Sequence, residues 1–308
     1  MFPNHILSAS QFLDARLLEL IFSKATIYKK AVLEKQKLDI LSGSILATLF
    51  FEPSTRTRLS FEAAMIRLGG QVISCENACA NSSAKKGESV SDTARMISGY
   101  ADVLVMRHTE DGAALEASKY SSIPVINAGD GSGEHPTQSL LDVFTIGEKF
   151  GDLKNLKICL IGDLLYGRTV HSLSQILASF QGVELYFISP EKLKLPQKFK
   201  ELLQSQKVKI VESGDLNQVI SQIDVLYVTR IQKERFENLQ EYENLKQSFR
   251  INAQTLEKMK KDSIILHPLP RLSEISIDVD SDPRSKYFEQ ARNGLFVRMA
   301  LLELVLKN

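Results

Sequence analysis

"SILATLFFEPSTRTRLSFEAAMIRLGGQVISC" (Ser44–Cys75) is a strand, a turn, a helix and a second strand in one short run. "SILATLFF" is a continuous apolar stretch, Pro53 fixes the turn, and "QVISC" resumes the strand pattern after the helix. Leu59, Ala63 and Ile66 share one helix face, the spacing expected of a face turned to a core. A strand–helix–strand run of this kind argues for parallel strands joined by a crossover.

The alternation continues outward in both directions along the chain. "DVLVM" and "IPVIN" are further strand candidates in the first part. "LKICLIG", "ELYFIS", "VKIVE", "DVLYVT" and "SIILH" follow in the second. Several are unbroken apolar runs, as expected where a parallel sheet is covered on both faces. Val170, Leu173 and Leu177 mark the apolar side of a later helix, and "KYFEQARNGLFVRMALLELVLK" reads as one long helix at the C-terminus. The fold class is therefore α/β, with two doubly wound parallel-sheet domains. A boundary is expected near residues 128–152, where "NAGDGSGEHP" opens a helix that "EKFGDLKN" closes.

Composition narrows the function classes. The chain has 308 residues, 44% of them hydrophobic and 24% charged, with a formal net charge of +1. That balance is globular, and no global field favours nucleic acid or a membrane surface, so any basic cluster is a local device. Cys75, Cys79 and Cys159 fit neither a metal nor a redox spacing and read as buried or idle thiols rather than a disulfide framework. "MFPNHILSASQFL" lacks the basic and apolar regions of a signal peptide, and no apolar run approaches a membrane span, which places the chain in the cytoplasm.

The turn within the opening stretch poses a charge problem. Arg56 and Arg58 fall in the first turn of a helix, where the macrodipole is positive and cations are disfavoured. Ser54 or Thr55 can cap that helix, and its first N–H groups form a ready anion site. A bound oxyanion such as phosphate would reverse the sign of what the arginines meet; the alternative is a solvated helix start with both arginines bent toward water. G-x-x-x-x-G-K-[ST] is absent, so this is not a Walker loop.

"STRTR", preceded by "FFEP" and followed by "LSFE", resembles the carbamoyl-phosphate motif of the aspartate and ornithine carbamoyltransferases. "VMRHTEDGAA" places Arg107 and His108 just after a buried strand, and "GSGEHPTQSLLD" starts a helix at Pro136 with His135 at its cap and Gln138 on the same side. "HPTQ" is similar to the family's second motif. The resemblance implies that Ser54, Thr55, Arg56, Thr57 and Arg107 fix the phosphate. Thr57, Arg107 and His135 would hold the carbamoyl oxygen, and Gln138 the carbamoyl amide.

"NSSAKKGESVSDT" reads by composition as a solvated, mobile loop. The resemblance makes it the loop that reaches into a neighbouring subunit's site with Ser82 and Lys86. "CLIGDLLYGRTVHSLSQIL" is a strand, a loop and a helix, but Gly162 and Gly167 do not make G-x-G-x-x-G, and Ser189 rather than an acid ends the next strand, so a nicotinamide site is not read. Arg168 opens that helix, and "YVTRIQKERF" repeats the device with Arg230 and Gln232. By resemblance Arg168 and Arg230 grip the two carboxylates of L-aspartate, with Lys86 and Gln232 assisting, and a mobile loop follows Arg230. In "ILHPLPR", Leu269 and Pro270 would present backbone carbonyls to the carbamoyl amide and the incoming amine. Ornithine enzymes carry a cysteine where Pro268 stands, so the motif resembles the aspartate branch.

The resemblance spans essentially the whole chain. It implies a carbamoyl-phosphate-binding domain over 1–134 and 288–308, with the C-terminal helix packing back on that first domain, and an aspartate-binding domain over 135–287. The activity it implies is carbamoyl transfer from carbamoyl phosphate to the amine of L-aspartate in pyrimidine biosynthesis. No metal, redox cofactor or covalent nucleophile is needed. A homotrimer with shared sites is implied. The closeness of "QKER", "HPLPR" and the C-terminal helix to enzymes with a separate regulatory chain raises that chain as a further partner. The rivals are a carbamoyltransferase for ornithine or another amino acid, and a non-catalytic homologue serving as a scaffold. Repulsion by Arg168 and Arg230 opposes a cationic acceptor, and the complete phosphate motif opposes a scaffold.

Overall fold

The computed structural model describes residues 2–232, 236, 238–245 and 249–307. The chain divides into two compact units, residues 1–144 with 292–308 and residues 145–291. The division falls within two continuous helices, after the boundary at 134/135 that the sequence suggests and inside the expected 128–152 window. An unbroken helical pattern carries no punctuation from which such a crossing could be read.

The first unit opens with α1 (Ala15–Leu33) and then alternates β1 (Ile45–Phe50), α2 (Thr55–Arg67), β2 (Gln71–Glu76), α3 (Ala78–Asn81), α4 (Val90–Ile97), β3 (Val103–His108), α5 (Ala113–Tyr120) and β4 (Val125–Asp130), before α6 (Pro136–Phe150). Its four strands are ordered β2-β1-β3-β4 and all pair in parallel. The second contains β5 (Lys157–Ile161), α7 (Arg168–Leu177), β6 (Glu184–Ile188), α8 (Gln197–Ser205), β7 (Lys209–Ser213), β8 (Val225–Val228), α9 (Leu239–Leu245), α10 (Ala253–Lys258) and β9 (Ile264–Leu266), before α11 (Tyr287–Leu306). Its five strands are ordered β7-β6-β5-β8-β9, again all parallel.

All nine expected strands are present, but they are not equally covered. β3 and β8, and the edge strands β4 and β9, are buried along their whole length, whereas the opposite edges β2 and β7 are half-exposed and carry Gln71, Glu76, Lys209 and Glu212. Charge on an edge discourages pairing with another chain.

The expected face of α2 is a correction. Leu59 and Ile66 are 49% and 62% exposed, while Phe61, Ala64 and Met65 are buried. The helix turns its aromatic side inward because Phe61 offers more area to bury than Leu59. In α7, by contrast, Val170, Leu173 and Leu177 are buried as expected.

The last part of α11 belongs to the first unit. There Glu303 accepts from Lys24 Nζ at 2.7 Å and from the Tyr28 hydroxyl at 2.5 Å, tying the chain's end to α1. Burial, then the Glu303 carboxylate, pushes the Tyr28 phenol well above its ordinary range. Among the described residues no helix is long and apolar enough to cross a membrane.

Candidate active site

In each sheet the crossovers reverse direction beside the first strand, and the cationic motifs lie there. In the first unit β1 is flanked by β2 and β3, with Phe50 opposite Arg107. In the second, β5 is flanked by β6 and β8. Loops at the carboxyl ends of strands beside such a reversal diverge and leave room for a ligand.

At the first reversal, β1 leads through Phe51–Ser54 into α2. Ser54 is the N-cap, but its hydroxyl makes no capping bond, a departure from the expected cap. Thr57 is buried, while Thr55 and Arg56 are exposed. The two arginines of "STRTR" therefore separate. Arg58 is drawn across to β2, with Nη2 2.8 Å from Glu76 and Nη1 3.3 Å from Glu62, so it answers the local acids rather than an anion.

Arg107 lies inside β3 rather than after it, as its penultimate residue, and is 9% exposed. Its Nη2 lies 2.9 Å from Glu52 Oε2, and Nη1 donates to the Ala128 carbonyl at 3.3 Å. Glu52 belongs to the same turn as Ser54, so the ion pair joins the end of β1 to that of β3. The sequence reading missed Glu52; its signal was an acid on the threshold of a cationic motif.

His135 is held at the head of α6 by a tightly bonded loop. Asp130 accepts from the Asn127 side chain at 3.0 Å and from Gly112 N–H at 2.9 Å. Glu134 accepts from Ser8 Oγ at 2.8 Å and Ala9 N–H at 2.9 Å. Gly131 has φ +45°, and a Cβ there would collide with Asp111, so only glycine fits the turn. His135 and Gln138 are both buried, and the Gln138 amide donates to Asp142 at 2.8 Å.

The segment expected as a mobile loop carries local structure instead. Ser82 ends α3, its hydroxyl bonded to the Ala78 carbonyl at 2.6 Å, and Lys86 closes a 3-10 helix, Ser83–Lys86, with its side chain exposed.

In the second unit Arg168 is the first residue of α7, and Arg230 and Gln232 follow β8. Gly162 makes this approach feasible: at φ +121° its Cα lies against the Thr229 backbone, where any Cβ would collide. Thr229 Oγ1 accepts from Asp163 N–H at 3.1 Å, and Gln232 Nε2 donates to the Tyr166 carbonyl at 3.2 Å, joining the two loops. Asp163, also missed from sequence, is wholly buried. Burial pushes its carboxyl up, against the backbone N–H groups of Tyr166, Gln232 and Leu165 that hold it down. Lys233, Glu234 and Arg235 of "QKER", and with them part of the expected mobile loop, lie outside the described residues.

β9 adjoins β8 and delivers "HPLPR" beside them. Leu269 has φ +57°, and its bond to Pro270 is cis. Its N–H donates to His267 Nδ1 at 2.8 Å, so the proton of that ring sits on Nε2, 2.9 Å from Glu274. Glu274 also accepts from Leu272 N–H at 3.1 Å, which pins the bend on both sides. Arg271 pairs with Asp280 and its Nη1 donates to the Tyr287 hydroxyl at 3.0 Å; it serves the scaffold.

Among the described residues no three His, Cys, Asp or Glu side chains gather as a metal would require. What the two arrangements offer are cations, backbone carbonyls and a buried imidazole, suited to binding and polarising an anionic acyl compound.

Comparison with known proteins agrees with this chemistry. Residues 4–148 match the carbamoyl-P binding domain of the aspartate/ornithine carbamoyltransferases, and residues 154–305 match their Asp/Orn binding domain. The chloroplastic aspartate carbamoyltransferase of Arabidopsis thaliana is 52% identical over 98% of this chain and 78% of its own length. The aspartate carbamoyltransferase catalytic subunit of Methanocaldococcus jannaschii is 50% identical over 99% and 98%. A crystal structure of the M. jannaschii catalytic subunit superposes with a TM-score of 0.92 at 49% identity, covering 99% of this chain and 98% of that one. The Trypanosoma cruzi enzyme in complex with carbamoyl phosphate and aspartate gives 0.90 at 41%, over 97% and 95%. With two family domains matched in order along almost its whole length, the chain belongs to the aspartate/ornithine carbamoyltransferase family.

Proposed function

We propose that this chain transfers the carbamoyl group of carbamoyl phosphate to the α-amine of L-aspartate, giving N-carbamoyl-L-aspartate and phosphate. The observation that carries the reading is the same in each unit taken separately. Cationic side chains stand beside the sheet's reversal: Arg56 and Arg107 in one, Arg168 and Arg230 in the other. The relatives named above add the aspartate specificity, since their names specify aspartate.

Carbamoyl phosphate is already activated, so the work is orientation and stabilisation of the tetrahedral oxyanion. Ser54, Thr55, Arg56, Thr57 and Arg107 bind the phosphate. Thr57, Arg107 and His135 direct donors at the carbonyl oxygen, and Gln138 with the Leu269 and Pro270 carbonyls takes the carbamoyl N–H groups. Arg168 and Arg230, with Gln232 and Lys86, hold the dicarboxylate. The neutral amine attacks the carbonyl carbon, a C–N bond forms, the C–O bond to phosphate breaks, and the departing phosphate takes the amine's proton.

The same reading includes a homotrimer in which Ser82 and Lys86 complete a neighbour's site. It also includes a cytoplasmic setting and, carried by the resemblance alone, a step in pyrimidine biosynthesis and a regulatory chain as a further partner. Phosphate release dependent on both substrates tests the activity; release with ornithine in preference to aspartate, or none from folded protein, overturns it. Mixing Arg56→Ala with Lys86→Ala chains tests the sharing, because hybrids regain some intact sites. No recovery in demonstrated hybrids overturns it.

A further inference from the structure

The buried amide of Asn127 has no part in the reaction above. It is 1% exposed and lies within β4, although asparagine is a poor strand former. Burying an amide is costly unless its hydrogen bonds are made, and here they are made on three sides. Oδ1 accepts from Gly129 N–H at 2.8 Å, while Nδ2 donates to the Leu7 carbonyl and to Asp130 Oδ1, both at 3.0 Å. Two acceptors facing Nδ2 and a donor facing Oδ1 leave the amide a single orientation.

These bonds surround an irregularity in the sheet. Met106 of β3 pairs with Asn127 and His108 with Asp130, so Ala128 and Gly129 together stand opposite the single residue Arg107. A bulge of this kind bends its strand and re-aims what the strand carries. The bond from Gly129 N–H back to Asn127 spans Ala128, whose carbonyl is the one that Arg107 Nη1 meets at 3.3 Å. Beyond the bulge, Asp130 N–H donates to the Glu134 carbonyl at 3.3 Å, and the Asp130 carboxylate takes Gly112 N–H at 2.9 Å. His135 is the next residue. One side chain thus holds the acceptor of Arg107 on one side and the loop before His135 on the other.

We propose that Asn127 is a positioning residue for the carbonyl-oxygen site: by holding this bulge it sets Ala128 against Arg107, and through Asp130 it sets the loop that delivers His135. This rests on the carbamoyl-phosphate reading of the first unit. An apolar residue would suit a strand better, but it would leave Arg107 and His135 without a common support.

The two arms can be cut separately. Asp130→Ala removes the arm to His135 and leaves the Gly129 turn, whereas Asn127→Leu, close in size, removes both. KM and kcat for carbamoyl phosphate are measured beside the inhibition constant of inorganic phosphate, which engages Arg107 but not His135. Asp130→Ala should lower kcat roughly 10–10²-fold with phosphate binding unchanged. Asn127→Leu should lower kcat at least as far and also weaken phosphate about tenfold, the worth of one well-aimed hydrogen bond. In a His135→Ala background, Asp130→Ala should cause no further loss of kcat, because the loop then has no imidazole to deliver. A folded Asn127→Leu protein with wild-type kcat overturns the proposal, as does an equal loss from Asp130→Ala with and without His135. Should the leucine variant not fold, Asn127→Val, smaller and suited to a strand, removes the same bonds and is read the same way. Wild-type protein that turns over no carbamoyl phosphate with aspartate would sink the activity and this role with it; active wild type beside an unaffected Asn127 variant would sink the role alone.

Discussion

Arg107 at the end of β3 is clamped between Glu52 Oε2, 2.9 Å from Nη2, and the Ala128 carbonyl, 3.3 Å from Nη1. The two contacts fix the plane of the guanidinium. Pre-organised donors need no reorganisation during reaction, and small misplacements cost up to about 10²-fold in rate. Glu52→Ala should therefore lower kcat/KM for carbamoyl phosphate by roughly 10–10²-fold, and Glu52→Gln by less, because an amide keeps one acceptor. Equal activity in all three proteins would show that Glu52 does not orient Arg107.

The two arginines of "STRTR" should respond in opposite ways. Arg56 is exposed, so Arg56→Ala should leave the melting temperature nearly unchanged while turnover falls about 10²–10³-fold. Arg58 sits between Glu62 and Glu76, so Arg58→Ala should cost about 1.5–3 kcal/mol of stability. Thermal melts and steady-state kinetics on both variants check this. Loss of stability in the Arg56 variant, with turnover intact, would reverse the assignment.

That division between the arginines also marks what the sequence made legible. Strand identity was readable throughout, because unbroken runs such as "DVLVM" and "DVLYVT" suit little except a covered parallel strand. The charge conflict at the start of α2 was readable because arginine at a helix start contradicts the macrodipole, although Arg58 resolves it locally through Glu62 and Glu76 and only Arg56 is left exposed. Contacts between elements were not. Nothing local says that Arg58 meets Glu76 on β2, that Glu52 meets Arg107, or that Asp163 serves the Gln232 loop. Period alone likewise could not choose between the Leu59 and Phe61 sides of α2, since both carry apolar residues at helical spacing. Tertiary pairing settles such choices, and it is written only in three dimensions.

The bend after β9 gives a prediction about backbone placement. Leu269 at φ +57° adopts a conformation that side chains disfavour, and its N–H has the His267 ring nitrogen as its partner. His267→Phe keeps the ring volume but removes that acceptor and the bond to Glu274. Stability should fall by about 1–3 kcal/mol for the stranded polar groups. KM for carbamoyl phosphate should rise as well, because the Leu269 and Pro270 carbonyls lose their fixed direction. Urea unfolding and kinetics on one preparation separate the two effects; a destabilised variant with wild-type KM would detach this bend from the substrate.

Acid should loosen the second unit through two arginine–carboxylate pairs. A hydrogen bond from Arg271 holds the Asp280 carboxyl below the usual range, against the opposing effect of burial and with help from Tyr287. Arg284 does the same for Asp282, across 2.8 Å. A carboxylate depressed in the folded state stabilises fully above its unfolded value, 3.8 for both. Below that, the unfolded chain takes up protons that the folded chain resists, so stability falls until the folded values are passed. The urea midpoint of the wild-type protein should hold steady near neutrality and drop as pH falls from about 4 toward 2. Asp280→Asn removes one of the two titrations, so its midpoint should start lower at neutral pH and decline less steeply in acid. Both pairs are partly exposed, so added salt should shrink the difference between the two proteins. Parallel acid profiles for wild type and variant would place the acid sensitivity in other groups.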